Sequence, residues 1–352
     1  MNRISLKNER PTEGLCAFYS YKVPVHGIGN IPGFIAIANL INNSALGGWR
    51  TKLYSSLEMA IIDATRLARD MRLKFGVLQI PMGGAKADTL IDAPSLRSDQ
   101  NVELCDNFGE VLMLLRQREG IRYITGKDIG RTDDDIARVA KTAPGLAAVG
   151  SPSSPTAHGI FRIIHAFFPS GGSVAVEGLG AVGMTLARLL IIGGYRVVGF
   201  DSDRAKCEEA KRFGVVIESD ILKQNVDVFS GCAGSFGFNP QTIPLIKPKY
   251  LIGSANIELE DPERDSLALH KAGKILIPGF GGNGAGAASI INSFITDPID
   301  LNDVLDSLER FALEIVAESQ RTGRTTYHVA KERAETNIRS MEKQYQKIAV
   351  AI

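Results

Sequence analysis

The 352-residue sequence predicts an α/β protein of two domains, the second built on a doubly wound parallel sheet. The length exceeds that of one ordinary domain and suits two of about 150 residues each. Short apolar strands alternate with helices in the second half, which is typical of a parallel sheet covered on both faces. A stretch rich in Pro and Ser, at 150–155, precedes that alternation and is the best candidate for a domain boundary.

These observations predict one domain over 1–149 and another over 150–324. The last fifty or so residues are largely helical and charged in pattern, and we expect these C-terminal helices, from about 325 to 352, to pack back over both domains.

The first half combines strands and helices. Apolar residues recur three and four apart over 55–74, which predicts a helix, and Ser55 and Glu58 have the spacing of a capping box. The apolar pattern predicts the other elements of this half: strands over 33–40, 76–81 and 121–125, a helix over 99–117, and a further helix that begins at Thr132 with Asp135 three residues on.

Composition argues against several classes of partner. The 40 basic and 39 acidic residues leave a formal net charge of +1, so no global basic field favours nucleic acid. The four cysteines form no C-x-x-C pair and the five histidines are scattered, so no metal site is expected. The apolar runs are too short to span a membrane, and no apolar signal core is found at the N-terminus. A cytoplasmic protein with no nucleic-acid or membrane partner is predicted.

The second half contains a dinucleotide-binding fingerprint. Residues 173–183 read as a strand, then G-x-G-x-x-G, then the start of an apolar helix. Gly178 would make the turn, Gly180 would let the backbone approach a pyrophosphate, and Gly183 would let the helix pack on the strand. Ala181 and Val182 lie at the helix start, where free N–H groups favour an anion. The other strands of this predicted Rossmann domain lie over 195–200, 215–217, 226–229, 250–252 and 275–277.

An acidic residue stands where a ribose would be bound. The second strand of the fingerprint ends at Asp201, about twenty residues after the glycines, where a carboxylate can accept from ribose hydroxyls. The same charge opposes a 2′-phosphate, which favours NAD over NADP, although the nearby Arg204 leaves NADP open. With strand, helix and acid together, a glycine-rich turn that binds nothing is the less favoured interpretation.

Several further motifs share one order and spacing with a known family. Each alone has an ordinary structural explanation, such as a solvated lysine or a turn-forming aspartate. Together they resemble the Glu/Leu/Phe/Val amino-acid dehydrogenase family, and the sequence is most similar in pattern to its leucine and phenylalanine members. The resemblance runs from about 33 to 339 and rests on the motifs Gly47-Gly48-Trp49-Arg50, Lys74 with Gly83-Gly84-Ala85-Lys86, TGKDIG at 125–130, PTAHG at 155–159, GSAN at 253–256 and YHVA at 327–330.

The resemblance implies an NAD-dependent oxidoreductase acting on CH–NH2 donors, with an N-terminal substrate and oligomerisation domain and a homo-oligomeric assembly. Lys86 matches the catalytic lysine, and Asp128 matches the acid that helps transfer a proton at the substrate nitrogen. Lys74 matches the lysine that binds the substrate carboxylate, while Gly47 and Gly48 match a backbone turn beside the substrate. The implied reaction converts an L-amino acid to its 2-keto acid and ammonia, or the reverse.

The same resemblance assigns the remaining site residues. The cofactor would be lined by Thr156, Cys232, Ala233 and Asn256, and the substrate side chain by Leu46, Gly126, Ala287 and Ile290. None of the pocket residues is charged, so a charged substrate side chain would be buried without a partner. A large apolar or aromatic amino acid is therefore expected, unless Trp49 turns in and fills the space.

Four positions depart from the family pattern, namely Trp49, Lys127, Ile257 and Gly279. They keep two other functions open. One is a biosynthetic reductase of an imine or keto acid that needs hydride transfer but no addition of water. The other is a non-catalytic NAD-binding homologue. Retention of both Lys86 and Asp128 favours deamination over either.

Overall fold

The computed structural model describes residues 4–234, 237–292, 294 and 298–350, with side chains described as far as residue 345. The described residues form two compact units. The first lies within Met1–Ser151, Ile290–Pro298 and Asn337–Ile352, and the second within Pro152–Ser289 and Ile299–Thr336. The domain division at 149/150 and 324/325 stays a prediction, because compactness alone does not show which segments fold independently.

The described part of the first unit contains a mixed sheet of seven strands, β1 (Ser5–Glu9), β2 (Ala17–Val25), β3 (Gly29–Ile37), β4 (Ser44–Thr51), β5 (Gly83–Thr89), β6 (Arg122–Lys127) and β7 (Ala147–Ala148). They lie in the order β1-β2-β3-β5-β4-β6-β7. The pairs β1–β2, β2–β3 and β3–β5 are antiparallel. The pairs β5–β4, β4–β6 and β6–β7 are parallel. Three helices accompany the sheet, α1 (Leu57–Leu78), α2 (Ser98–Glu119) and α3 (Asp133–Thr142).

The glycine pair Gly83-Gly84 lies at the start of β5. The prediction of a strand over 76–81 is wrong, since α1 continues to Leu78 and β5 begins only at Gly83. A Cβ added at Gly84 would lie 2.2 Å from the backbone nitrogen of Arg72, so glycine there allows α1 to pack directly on β5. Lys86 therefore lies within a buried strand.

Two helix starts test the capping predictions. The prediction of a capping box at Ser55 and Glu58 is wrong, because Ser56 is the N-cap of α1. The Ser56 side chain accepts from the Met59 N–H at 3.2 Å. The start at Thr132 is confirmed, since its hydroxyl accepts from the Asp135 N–H at 3.2 Å and the Asp135 carboxylate accepts from the Thr132 N–H at 2.8 Å.

The two faces of β4 carry different chemistry, because successive strand residues point to opposite sides. Trp49 is fully buried against α2, where its ring stacks on Phe108 at 4.1 Å, and its Nε1 donates to the Thr89 hydroxyl at 2.7 Å. Arg50 points to the other face, in register with Asp88. The alternative in which Trp49 fills the substrate pocket is therefore wrong, since Lys86 shares the face of Arg50.

The described part of the second unit contains a parallel sheet of six strands, β8 (Ser173–Glu177), β9 (Arg196–Phe200), β10 (Val216–Ile217), β11 (Val228–Gly231), β12 (Tyr250–Ile252) and β13 (Ile275–Ile277). Their order is β10-β9-β8-β11-β12-β13, and every pair is parallel. All six predicted strands are confirmed within two residues of their predicted bounds. This order is that of a doubly wound Rossmann fold, with its switch point between β8 and β11.

Helices complete the second unit: α4 (Ser153–Phe167), α5 (Ala181–Ile192), α6 (Arg204–Lys211), α7 (Pro262–Lys271), α8 (Gly279–Gly282), most of α9 (Ala285–Ile291), α10 (Leu301–Thr322) and the start of α11 (Thr326–Val350). The side chain of Arg162 on α4 pairs with Asp306 and Glu309 on α10. The end of α11 belongs to the first unit, where the Asn337 amide donates to the Gly76 carbonyl at 3.0 Å. Among the described helices, none combines the length and the apolar character that crossing a membrane requires.

Candidate active site

A buried ion-pair network lies on the α1-facing side of the first sheet. Lys86 on β5 is buried, and its Nζ donates to Asp128 Oδ2. Asp128 follows β6, and its Oδ1 accepts from Arg50 Nε at 3.1 Å and from the Ile129 N–H at 2.6 Å. With Oδ1 occupied in this way, the carboxylate is held in one orientation and directs Oδ2 at Lys86.

Residues that the sequence analysis did not single out extend this network. Arg50 Nη1 lies 2.5 Å from Asp63 Oδ2, on α1. The Tyr54 hydroxyl lies 2.8 Å from the same Asp63 oxygen and 3.0 Å from Asp88 Oδ1. The only sequence signal for these residues is position: Arg50 ends the Gly47-Gly48-Trp49-Arg50 motif, and Asp88 is two residues after Lys86, hence on the same face of β5.

The network fixes the charge of Asp128. Burial alone would raise the pKa of Asp128, but the charges of Lys86 and Arg50 outweigh it and hold that pKa well below its usual range. Asp128 is therefore a carboxylate at neutral pH, and its charge can attract a cationic group. For Asp88 the balance is reversed, and burial raises its pKa to about 7 against the opposing charges of Lys86 and Arg50.

The glycines of β4 and β6 clear the space beside this network. Gly47 and Gly48 lie within β4, so the prediction that they form a turn is wrong. A Cβ at Gly48 would come within 2.9 Å of the Asp128 side chain, whereas a Cβ at Gly126 would meet, among the described residues, only the Ala148 carbonyl oxygen, at 3.9 Å. Leu46 shares the face of Gly48 and Gly126, as the strand register requires.

Lys74 lies in the last turns of α1, in the same unit as Lys86 and Asp128. It is buried, and its Nζ lies 3.9 Å from Asp70 Oδ2. Burial raises the pKa of Asp70, and the charge of Lys74 opposes that shift. Ala287 and Ile290 lie on α9, and their part in the substrate pocket stays a prediction.

The strand–turn–helix fingerprint of the second unit has the geometry of a dinucleotide cradle. Gly178 has φ +87°, and a Cβ there would lie 2.5 Å from the Ala233 Cβ. A Cβ at Gly183 would lie 1.8 Å from the Gly178 carbonyl oxygen, so glycine there allows α5 to start directly on β8. No described residue lies within 4 Å of a Cβ at Gly180, the N-cap of α5, so these residues leave room for a phosphate group at the helix start.

Asp201 is oriented by the same turn. Its Oδ2 accepts from the Leu179 N–H and its Oδ1 from the Asp203 N–H, both at 2.8 Å. Burial would raise the pKa of Asp201, but these two N–H groups and the nearby Lys206 hold it below its ordinary value. A carboxylate has about four acceptor positions, so capacity remains for ribose hydroxyls.

A cavity of about 220 Å³ opens at the carboxyl ends of β8, β11, β12 and β13. Ala233 lines it, together with two carboxyl residues that the sequence analysis missed, Glu177 and Glu258. Burial raises the pKa of Glu177. The Gly279 N–H donates to Glu258 Oε1 at 2.7 Å, so a carboxyl side chain lies beside one of the positions that depart from the family pattern.

The other predicted cofactor residues lie in the same unit. Asn256 Oδ1 accepts from Asn283 Nδ2 at 3.0 Å, and the Thr156 hydroxyl donates to the Pro152 carbonyl at 2.8 Å. Burial raises the pKa of the Cys232 thiol, so it is a neutral group. In the part of the chain that the structure describes, no cluster of three or more His, Cys, Asp or Glu residues is placed to hold a metal ion.

Comparisons with known proteins agree with this geometry. Residues 17–144 match the family model described as Glu/Leu/Phe/Val dehydrogenase, dimerisation domain. An L-tryptophan dehydrogenase of Nostoc punctiforme is 32% identical over 341 residues, which cover 91% of this chain and 93% of that protein. A leucine dehydrogenase of Geobacillus stearothermophilus is 31% identical over 336 residues, covering 89% and 88%.

The chain belongs to the Glu/Leu/Phe/Val dehydrogenase family. The crystal structure of the L-tryptophan dehydrogenase from Nostoc punctiforme superposes with a TM-score of 0.73 at 30% identity, over 89% of this chain and 94% of that one. The predicted family and the predicted two-domain α/β fold are thereby confirmed. The matched dimerisation domain contains Leu46, Lys74, Lys86 and Asp128, so the buried network of this dehydrogenase family member lies wholly inside it.

Proposed function

We propose that the protein is an NAD-dependent dehydrogenase that oxidatively deaminates a large apolar or aromatic L-amino acid to its 2-keto acid and ammonia, or runs the reverse reaction. The observation that carries the proposal is the buried pair of Lys86 and Asp128, anchored by Arg50 on a face that Gly48 and Gly126 keep clear. Such a pair suits proton transfer at an amine, which supports deamination over NAD binding alone.

The residues divide the chemistry between them. Bound NAD would supply the hydride acceptor, held by the Gly178–Gly183 turn and Asp201. Lys74 would offer a cation to the substrate carboxylate. The Asp128 carboxylate would attract the substrate ammonium through Oδ2, the oxygen that it also presents to Lys86. After hydride loss from Cα, Lys86 in its amine form would accept the proton of the water that adds to the substrate.

The test is NAD reduction with each proteinogenic L-amino acid in turn. We expect tryptophan, phenylalanine and leucine to exceed alanine, valine and glutamate, because an uncharged pocket gains about 0.8 kcal/mol for each CH2 group that it buries. Glutamate as the best substrate, or no activity with any apolar amino acid, would contradict the proposal. The second outcome would favour a reductase of preformed imines or keto acids.

Cofactor choice should depend on Asp201. We expect kcat/KM for NAD to exceed that for NADP by at least about tenfold, since the carboxylate accepts from the 2′-hydroxyl and repels a phosphate there. Asp201→Asn should narrow that ratio, while Asp220→Asn, at an exposed aspartate of the same unit, should leave it unchanged. Equal efficiency of the wild type with both cofactors would show that Asp201 does not face the ribose.

Substrate preference should depend on Gly126. The backbone accommodates alanine here, because in the described part of the chain the added Cβ meets only the Ala148 carbonyl oxygen, at 3.9 Å. If the pocket is roomy, Gly126→Ala should lower kcat/KM for phenylalanine and tryptophan more than for leucine. Equal losses for both groups, at unchanged thermal stability, would mean that Gly126 does not line the pocket.

A further inference from the structure

Asp88 is a fully buried carboxyl close to the proposed catalytic lysine. It is 0% exposed and lies on the same face of β5 as Lys86. Its Oδ1 is 3.0 Å from the Tyr54 hydroxyl, and among the described residues its Oδ2 has no hydrogen-bond partner. The groups nearest its carboxyl are Lys86 on β5, Arg50 on β4, Tyr54 after β4 and Asp128 after β6, and Asp63 on α1 is reached through Tyr54. Two buried tyrosines also interact with Asp88: Tyr21 on β2, whose hydroxyl donates to the Asp88 carbonyl at 2.9 Å, and Tyr123 on β6.

The Tyr54 hydroxyl has one proton but lies between two carboxyl groups. If Asp63 and Asp88 were both ionised, one of the two contacts would set oxygen against oxygen with no hydrogen between them. If Asp88 carries a proton, it donates to Tyr54, and Tyr54 donates to Asp63, so that both contacts become hydrogen bonds. The proton is assigned to Asp88 because Asp63 already pairs with Arg50, whose Nη1 lies 2.5 Å from Asp63 Oδ2.

The charges of the cluster lead to the same assignment. The cations Lys86 and Arg50 are matched by the anions Asp128 and Asp63. A third carboxylate at Asp88 would leave a buried net negative charge, which is costly. With Lys86 as the ammonium, one additional proton on Asp88 makes the cluster neutral and satisfies the hydrogen bonds of Tyr54. With Lys86 as the amine, the same proton lowers the net charge of the cluster from −2 to −1, so the assignment is unchanged.

We propose that Asp88 is a positioning residue that carries a proton in the active enzyme, and that losing this proton converts the site to a less active form. The catalytic part of this inference rests on the proposed function. Protonated, Asp88 completes a chain through Tyr54, Asp63 and Arg50 that fixes the orientation of Asp128. Ionised, it breaks one hydrogen bond of that chain and adds a negative charge near Lys86, which favours the ammonium over the amine that acts as base. The raised pKa, about 7, puts this change near physiological pH.

The kinetic test compares the wild type with Asp88→Asn, whose amide keeps the shape, donates to Tyr54 and cannot ionise. The ratio of kcat for Asp88→Asn to kcat for the wild type should rise roughly tenfold from about pH 6 to about pH 9, equivalent to one unit in the protonation of the base. In a Tyr54→Phe background the same ratio should rise less. The control is Asp106→Asn, in a half-exposed pair with Arg138, for which the ratio should stay flat. Parallel profiles for Asp88→Asn and the wild type would overturn the proposal.

Two further measurements do not depend on catalytic activity: the free energy of unfolding as a function of pH, and the NMR titration of the aspartate carboxyl groups. Between about pH 4 and about pH 7 the folded chain would hold a proton that the unfolded chain has released, so the wild type should lose stability relative to Asp88→Asn as the pH rises. In wild-type protein labelled with [13C]aspartate, one carboxyl resonance should titrate near pH 7, be absent from Asp88→Asn and shift in Tyr54→Phe. Absence of such a resonance would contradict the assignment of a proton to Asp88. If the resonance is present while no amino acid is oxidised, the proposed function fails and the protonated Asp88 stands.

Discussion

Lys86→Ala should lower kcat for amino-acid oxidation by about 10²–10⁴-fold, because a positioned acid–base group contributes a factor of that size. Binding of NAD should change little, since the predicted cofactor residues lie on the second unit and Lys86 on the first. Steady-state kinetics and NAD binding by calorimetry provide the two measurements. Lys86→Met, which keeps most of the aliphatic stem in its buried site, separates loss of the amine from loss of packing.

The matched control is Lys141→Ala, at an exposed lysine on α3. It should retain wild-type kcat and KM. If Lys86→Met kept more than about a tenth of wild-type kcat, the lysine could not be the general base, since such a group contributes at least about 10². The proposed deamination mechanism would then need another acceptor for the proton of water.

Asp128→Ala should lower the free energy of unfolding by about 3 kcal/mol in addition to abolishing most activity. The change leaves Lys86 and Arg50 next to each other in a buried site without the carboxylate between them, and breaking a buried pair in this way costs about 3–5 kcal/mol. The lower figure is expected because the Asp128 side chain is 19% exposed. Urea unfolding measures the difference, and Asp106→Ala, whose partner Arg138 is 42% exposed, should cost less than about 1 kcal/mol.

The Asp128 contribution has a defined pH dependence. The pKa of Asp128 is lowered in the folded protein, so its stabilisation is fully present above the ordinary aspartate pKa of about 3.9 and is lost as the pH falls through the folded value. The stability difference between wild type and Asp128→Ala should stay constant from neutral pH to about pH 5 and shrink on further acidification. A difference that grows on acidification would mean that Asp128 is not held as an anion.

The fold was largely predictable from the sequence because its second half has local and regular signals. Each parallel strand there is a short apolar run, and the fingerprint glycines mark where β8 ends and α5 begins. The first half was less predictable, because a short apolar run is compatible with either a strand or the end of a helix. Residues 76–81 are apolar enough for a strand, yet 76–78 continue α1, and the strand forms over the glycines because their missing side chains allow α1 to lie on it.

The central site residues Lys86 and Asp128 were proposed from motifs, but their partners were not. Arg50, Asp63 and Asp88 come from a strand, a helix and a second strand, and only the folded register places them within hydrogen-bond distance of a common set of groups. A single sequence also gives no measure of burial for an isolated acid. The raised pKa of Asp88 therefore follows from the fold and could not be deduced from its residue type.

The space around a Cβ differs between the glycines of β4, β5 and β6, and this difference determines which positions could be varied to change the substrate range. At Gly47 a methyl group would lie 1.7 Å from the Ala85 carbonyl oxygen, and at Gly84 it would collide with the backbone of α1, so randomising either position should yield mostly misfolded variants. Gly126 has no such neighbour within the described ranges, and Leu46 lies on the same face. A small combinatorial library at these two sites should therefore sample new side-chain specificities at a lower cost in stability than substitution of Gly47 or Gly84.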